Sequence, residues 1–171
     1  MKKVMIAVTA GLVGLMAINT AQALTINGGN GPHTFTGTAD LSKGSLTLRN
    51  CTLTLTGTVE EAAGNMVINV TSGSASGAGL CSSVKLNFPW TASVPVSSIP
   101  TTPNATVNGT FTNVDVGTPL GKCTSSPGSI GAVFGPINGS TGGSYFKFNS
   151  SLGTCTVNGQ VDNSTVSVTN P

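Results

Sequence analysis

Apolar and polar residues alternate along most of the chain from residue 34 onward. Leu53 and Leu55, for example, alternate with Thr52, Thr54 and Thr56. A period of two is the pattern of a β-strand with one buried and one solvated face. Similar runs lie at residues 46–49, 66–71, 84–88, 146–148, 157–161 and 166–168.

Clusters of Gly, Ser, Asn and Pro separate these runs at intervals of about ten residues, which is typical of antiparallel sheets. No sustained 3.6-residue apolar period, the mark of an amphipathic helix, follows Ala23. We therefore predict an all-β fold, a single antiparallel β-sandwich or barrel-like domain over residues 34–171.

The first 23 residues have the order of a secretory signal peptide. Lys2 and Lys3 precede an apolar run over residues 4–18, and Ala21-Gln22-Ala23 forms a small-residue cleavage motif. The run is shorter than the ~20 residues that span a bilayer. We expect cleavage after Ala23, a flexible Gly-rich leader over residues 24–33, and a secreted protein, extracellular or at the cell surface, without an integral membrane span.

Removal of Lys2 and Lys3 leaves five basic and five acidic side chains, so the mature side chains sum to zero charge. Only 7% of the residues are charged, whereas globular proteins average about 25%. The five basic residues are scattered, which argues against a nucleic-acid partner. A near-neutral protein lacks long-range repulsion, so self-association and contact with a hydrocarbon or lipid interface become easier.

Four cysteines lie beyond the signal segment: Cys51, Cys81, Cys123 and Cys155. An even number in an exported chain predicts two disulfides, for which three connectivities are possible. A metal site is disfavoured because the cysteines are far apart and the chain has one histidine. We favour Cys51 with Cys81 and Cys123 with Cys155, since each pair closes a short loop.

The residues that carry catalysis in other proteins are scarce. His33, the sole histidine, lies in the Gly-Pro-rich leader, where we expect an exposed turn rather than a catalytic triad. Glu60 and Glu61 are adjacent, so they would point to opposite faces of a strand instead of converging across a cleft. We expect solvated roles for all five acids, and neither an enzyme nor a metal or cofactor site.

Six aromatic residues could either fill the core or contact an external apolar surface. They are Phe88, Trp90, Phe134, Tyr145, Phe146 and Phe148. Trp90 is the only tryptophan and precedes a proline-rich stretch. For this tryptophan we favour a core position beneath a loop. The low aromatic content, 5%, argues against a carbohydrate-binding or single-strand nucleic-acid module.

Several short segments together resemble a known family. They are Asn-Cys-Thr at residues 50–52, Gly-Leu-Cys-Ser at 79–82, Phe-Pro-Trp at 88–90, Gly-Lys-Cys at 121–123 and Gly-Thr-Cys-Thr-Val at 153–157. With the signal peptide, they resemble the protein activators of alkane oxidation (PraA/PraB type) of pseudomonads and related bacteria. The resemblance covers nearly the whole mature chain and depends on cysteine placement and composition.

This resemblance implies a small secreted, surface- and biofilm-associated helper of growth on hydrocarbons, acting without catalysis at the contact between cells and oil. It implies no catalytic residues, and the four cysteines transfer as structure. The alternative is a structural biofilm matrix protein, an adhesin or a fimbrial-type subunit. The chain end Val-Ser-Val-Thr-Asn-Pro, at residues 166–171, departs from the terminal strand of chaperone-usher pilins.

Overall fold

The computed structural model of the protein describes residues 23–29, 31–139 and 142–171. The predicted signal peptide thus lies outside the described residues, except for Ala23. Two short 3₁₀ turns lie at Cys81–Ser83 and Val96–Ser98. The strands are β1 (Thr25–Asn27), β2 (His33–Lys43), β3 (Leu46–Ala62), β4 (Asn65–Ser76), β5 (Lys85–Asn87), β6 (Trp90–Pro95), β7 (Ala105–Thr118), β8 (Gly121–Lys122), β9 (Gly128–Ile137), β10 (Ser144–Leu152), β11 (Cys155–Asn163) and β12 (Ser167–Thr169).

Eight of these strands form a closed antiparallel barrel, in the order β9-β10-β11-β2-β3-β4-β6-β7. The ring closes where β7 pairs with β9, in a register that places Phe111 opposite Ile130. The all-β prediction is confirmed, in its barrel form. Outside the ring, β12 lies parallel to the last residue of β9, and β5 and β8 both pair with the end of β7.

Alternation along the strands separates the inside of the barrel from the outside. In β3, Leu53, Leu55 and Val59 are buried, whereas the intervening threonines are partly or fully exposed. Outside, the hydroxyl of Thr34 lies 3.0 Å from that of Thr56 on the neighbouring strand. Cross-strand Thr pairs of this kind stabilise sheets modestly, so the hydroxyl-rich composition forms the outer face of the barrel.

Phenylalanines fill the middle of the barrel. The ring centroid of Phe146 lies 4.7 Å from that of Phe35, 5.0 Å from that of Phe134 and 5.5 Å from that of Phe111. These rings come from β10, β2, β9 and β7, so the cluster joins opposite walls. Each such pair contributes about 0.5–1.5 kcal/mol beyond its burial.

The segment expected to be a flexible leader, residues 24–33, contains paired structure. Thr25–Asn27 forms β1 and pairs with Thr169, Val168 and Ser167 of β12. Leu24 is 7% exposed, and its backbone N–H donates to the carboxylate of Glu61 at 2.5 Å. The flexible-leader expectation is therefore wrong for β1, because a strand far along the chain supplies its partner.

His33 is not an exposed turn residue as expected. It begins β2 opposite Gly57 and is 8% exposed. Its Nε2 lies 3.0 Å from the carbonyl oxygen of Gly29. The chain around Gly28 and Gly29 folds over the imidazole, since a Cβ at Gly28 would lie 3.2 Å from the ring. The histidine is thus held by the segment that was expected to leave it free.

Gly57 lets β3 and β4 approach closely at an irregularity in their pairing, between Thr56 and Gly57. A Cβ at Gly57 would lie 2.1 Å from the carbonyl oxygen of Asn69 and 2.7 Å from Cα of Val70. Both atoms are backbone and cannot rotate away. Glycine here permits the sharp curvature that closing a barrel demands.

We expect Gly57→Ala to lower the free energy of unfolding by about 2–3 kcal/mol, because the methyl group would force the two strands apart. The measurement is urea unfolding of the oxidised protein. Gly131→Ala is the matched control, because a Cβ there meets only Ser150 Oγ, at 3.7 Å. That control should be neutral or slightly stabilising, and equal losses in the two variants would contradict the close-approach explanation.

Candidate functional site

Both disulfides lie at one end of the barrel. Cys51 is bonded to Cys81 and Cys123 to Cys155, which confirms the sequential pairing. Lys43, the last residue of β2, pairs with both Leu46 at the start of β3 and Cys155 at the start of β11. We call this region the disulfide end: the last residues of β2, β4, β7 and β10, the first residues of β3, β9 and β11, and the loops that join them.

A cavity of about 60 Å³ lies inside the barrel at the disulfide end. It extends between the core and the segment that connects β4 to β5. Its walls are almost wholly apolar and are formed by Ala39, Asp40, Leu41, Cys51, Leu53, Ala75, Val84, Leu86, Trp90, Val114, Val116, Ile130, Phe148, Leu152 and Val157.

The polar groups nearest the cavity are already paired. Asp40 is the only ionisable side chain in its wall, and its Oδ1 accepts the backbone N–H of Asn50 at 2.7 Å. The indole N–H of Trp90 donates to the carbonyl oxygen of Asn87 at 2.6 Å. A molecule in the cavity would therefore contact apolar side chains and would form few hydrogen bonds with the walls.

Two large apolar side chains of the described residues are exposed, and both lie in loops of the disulfide end. Leu80 is 47% exposed and directly precedes Cys81. Leu120 is 52% exposed and lies in the turn between β7 and β8, three residues before Cys123. Since disulfides anchor both loops, the leucines are held at the surface instead of folding into the core.

Charges are divided between the two ends of the barrel. The disulfide end carries four basic and two acidic side chains, a sum of +2, whereas the opposite end carries three acidic ones. Lys147 lies midway along β10, and with it the side-chain charges of the described residues sum to zero. The basic set is Lys43, Arg49, Lys85 and Lys122, and the acidic sets are Asp40 with Asp115, and Glu60 and Glu61 with Asp162. Lys122 and Asp115 form an ion pair at 2.8 Å.

The six candidate aromatic residues fall into two groups. Trp90, Phe134, Phe146 and Phe148 are at most 5% exposed, because each lies on the inner face of its strand. These four side chains are therefore too buried to contact an external apolar surface, which was the alternative considered for them. Phe88 and Tyr145 are half-buried, and the Phe88 ring packs on Trp90 with centroids 4.8 Å apart. Trp90 and Phe148 instead face the cavity.

The candidate catalytic residues are not brought together. His33 and Glu61 lie at the end opposite the disulfides, whereas Asp40 and Asp115 lie at the disulfide end. Within residues 23–29, 31–139 and 142–171, no group of three or more His, Cys, Asp and Glu side chains is placed to hold a metal ion. In that same part of the chain, no helix is long and apolar enough to cross a membrane.

Comparison with known families identifies the chain. The model of the family described as alkane oxidation protein activator, PraA/PraB-like, matches residues 1–170. The chain belongs to this family. None of the curated proteins and none of the solved structures compared with it matches.

Leu80 and Leu120 were not among the residues predicted to contact an apolar surface. Each is an apolar residue inside a Gly-containing turn, outside any alternating run and within three residues of a cysteine. An apolar side chain that no strand buries is a sequence signal that could have indicated them. The cavity had no such signal, because its walls come from strands far apart along the chain.

We expect loss of either disulfide, through Cys51→Ala with Cys81→Ala or Cys123→Ala with Cys155→Ala, to lower the free energy of unfolding by about 3–4 kcal/mol. The two losses should be similar because the cysteines are 30 and 32 residues apart. Urea unfolding followed by circular dichroism measures both.

The two double variants should differ in the fluorescence of Trp90. Cys51 lines the cavity together with Trp90, whereas Cys123 does not. Removal of the first disulfide should therefore make the tryptophan more accessible to iodide, and removal of the second should leave quenching close to that of the parent. Equal quenching in all three proteins would contradict this placement.

Proposed function

We propose that this protein is a secreted, non-enzymatic accessory of alkane oxidation that acts at the interface between the cell and the hydrocarbon. Membership of the PraA/PraB-like family supports the link to alkane oxidation. The observation that carries the interfacial part is the pair of exposed leucines at the disulfide end. In this proposal, the protein adsorbs to oil through that end.

The leucines supply a modest but useful adsorption energy. Full burial of a leucine side chain is worth about 1.5–3 kcal/mol. Because Leu80 and Leu120 are about half exposed, moving both into oil contributes about 2 kcal/mol in total. That corresponds to a change of roughly 30-fold in an adsorption constant.

The charge distribution supports the same orientation. Zero net charge on the mature side chains means little long-range repulsion from an interface or from other copies already adsorbed there. The disulfide end nevertheless sums to +2 and the opposite end to −3. An anionic cell surface or droplet would therefore attract the end that carries the leucines.

The disulfides suit work outside the cell. All four cysteines are bonded, and disulfides persist in oxidising compartments. Each bridge fixes one of the loops that present a leucine. An oil surface favours unfolding, because the apolar core residues of an unfolded chain can contact the oil. The two disulfides at the adsorbing end would oppose this unfolding and keep the barrel intact there.

We expect Leu80→Asp with Leu120→Asp to weaken adsorption of the mature protein to a hexadecane drop. The protein concentration that gives a fixed fall in interfacial tension should rise at least tenfold. The reason is the loss of apolar contact together with the cost of placing carboxylates against oil. Pendant-drop tensiometry measures the tension as a function of protein concentration.

Ser97→Asp with Thr102→Asp is the matched control. Both residues are exposed, lie away from the disulfide end and add the same charge. This control should reduce interfacial tension nearly as well as the parent. Equal loss of activity in the two double variants, or a parent protein no more active than an inert secreted β protein, would refute the proposal. In cells, the parent should restore growth of a deletion strain on hexadecane when added from outside.

A further inference from the structure

We propose that the cavity at the disulfide end is a binding site for the end of an unbranched, uncharged alkyl chain. This inference rests on the proposed function only for the kind of ligand, since the site itself follows from the geometry of the barrel. Eight-stranded barrels have interiors that side chains can just fill or that hold one small ligand. Here the phenylalanines fill the middle, and the space left lies at one end.

The volume of the cavity suits a chain end rather than a ring. A cavity of about 150 Å³ is known to hold benzene, which has six carbons. In proportion, the 60 Å³ present here hold about two or three carbons. A methyl group and one or two methylenes would fit, whereas a six-membered ring would not. The rest of a longer chain would extend out through the mouth.

The chemistry of the walls favours a saturated hydrocarbon. Valines, leucines, alanines and the Trp90 and Phe148 rings supply the contacts. The nearby polar atoms of Asp40 and Trp90 have partners in the protein. Walls of this kind hold water weakly, so a chain end that enters gains contacts and displaces only poorly ordered water.

The charges around the mouth do not select a headgroup. Asp40 is the only charged residue that lines the cavity, and its Oδ1 accepts the backbone N–H of Asn50. Lys85, which is exposed, lies between the mouth residues Val84 and Leu86. The site is therefore assigned, through its apolar walls, to the saturated chain end itself.

The mouth lies beside one of the exposed leucines. Ala75, Val84 and Leu86 line the cavity and are each partly exposed. Leu80 lies on the segment that connects Ala75 to Val84, and the Cys51–Cys81 disulfide holds this segment. A barrel adsorbed through Leu80 would thus present its cavity to the oil, where chain ends are plentiful.

The single tryptophan reports directly on occupancy. Trp90 lines the cavity and is the only tryptophan in the chain. The probe is 1-bromohexane, dissolved below its aqueous solubility so that no oil interface is present, because bromine quenches indole fluorescence on contact. We expect saturable quenching by this probe, at least tenfold weaker binding of bromocyclohexane, and displacement of the probe by hexane.

Ala75→Leu tests the location of the site. The substitution adds three carbons, about the number that the cavity accommodates, and should lower the affinity for 1-bromohexane at least tenfold. Ala105→Leu is the matched control, since Ala105 is partly exposed at the far end of β7 and does not line the cavity. Val84→Phe is a second filling variant, and circular dichroism shows that each variant is folded.

The outcomes separate this inference from the proposed function. Non-saturable quenching, binding of bromocyclohexane as tight as that of 1-bromohexane, or a folded Ala75→Leu protein with unchanged affinity would overturn the site. If these tests fail and the pendant-drop activity is normal, the binding site is refuted and the interfacial function stands. If quenching is saturable and depends on the cavity but the protein does not adsorb to oil, the binding site stands and the interfacial function is refuted.

Discussion

Closure of the sheet between β7 and β9 is the constraint on which the rest of the structure depends. A closed ring has no exposed edge along the eight strands, and it defines an inside that side chains must fill. Closure with so few strands requires tight curvature, which explains why Gly57 lies where a Cβ would meet the backbone of β4. The same closure sets the width of the interior and hence the size of the space at its end.

The two ends of the barrel differ in packing, charge and exposed side chains, so the molecule has two chemically distinct ends. At one end, β1 and β12 pair with each other, and the buried His33 and Leu24 complete the packing. At the other end, two disulfides hold the loops, a small apolar cavity remains, and Leu80 and Leu120 face solvent. Basic side chains gather at this second end. One barrel thereby has an end at which exposed leucines and a net positive charge lie together.

Much of the fold could be predicted from local pattern. Alternation around Leu53, Met66 and Phe146 indicated strands, and the cysteine spacing indicated sequential disulfides. Other elements were missed because their partners are distant. Gly57 and residues 60–62 are of types common in turns. They nevertheless belong to β3, which continues to Ala62 because β4 pairs with it from Asn65 to Ser76. β7 and β9 contain many Thr and Gly residues, and each is stabilised chiefly by pairing with the other.

The sequence by itself determined the class of the fold and the near absence of charge, because each depends on composition or on residues close along the chain. It favoured the pairing of the cysteines that the structure shows, among three possible connectivities. The tertiary structure decided that the sheet closes into a barrel, that His33 and Thr25–Asn27 are packed, and that Trp90 and Phe148 line a cavity instead of an outer surface. It also brought Leu80, Leu120 and most basic residues to one end. These features arise from contacts between residues far apart along the chain, such as Asn27 and Ser167, which are 140 positions from each other. Loop closure over such distances leaves no local pattern in the chain.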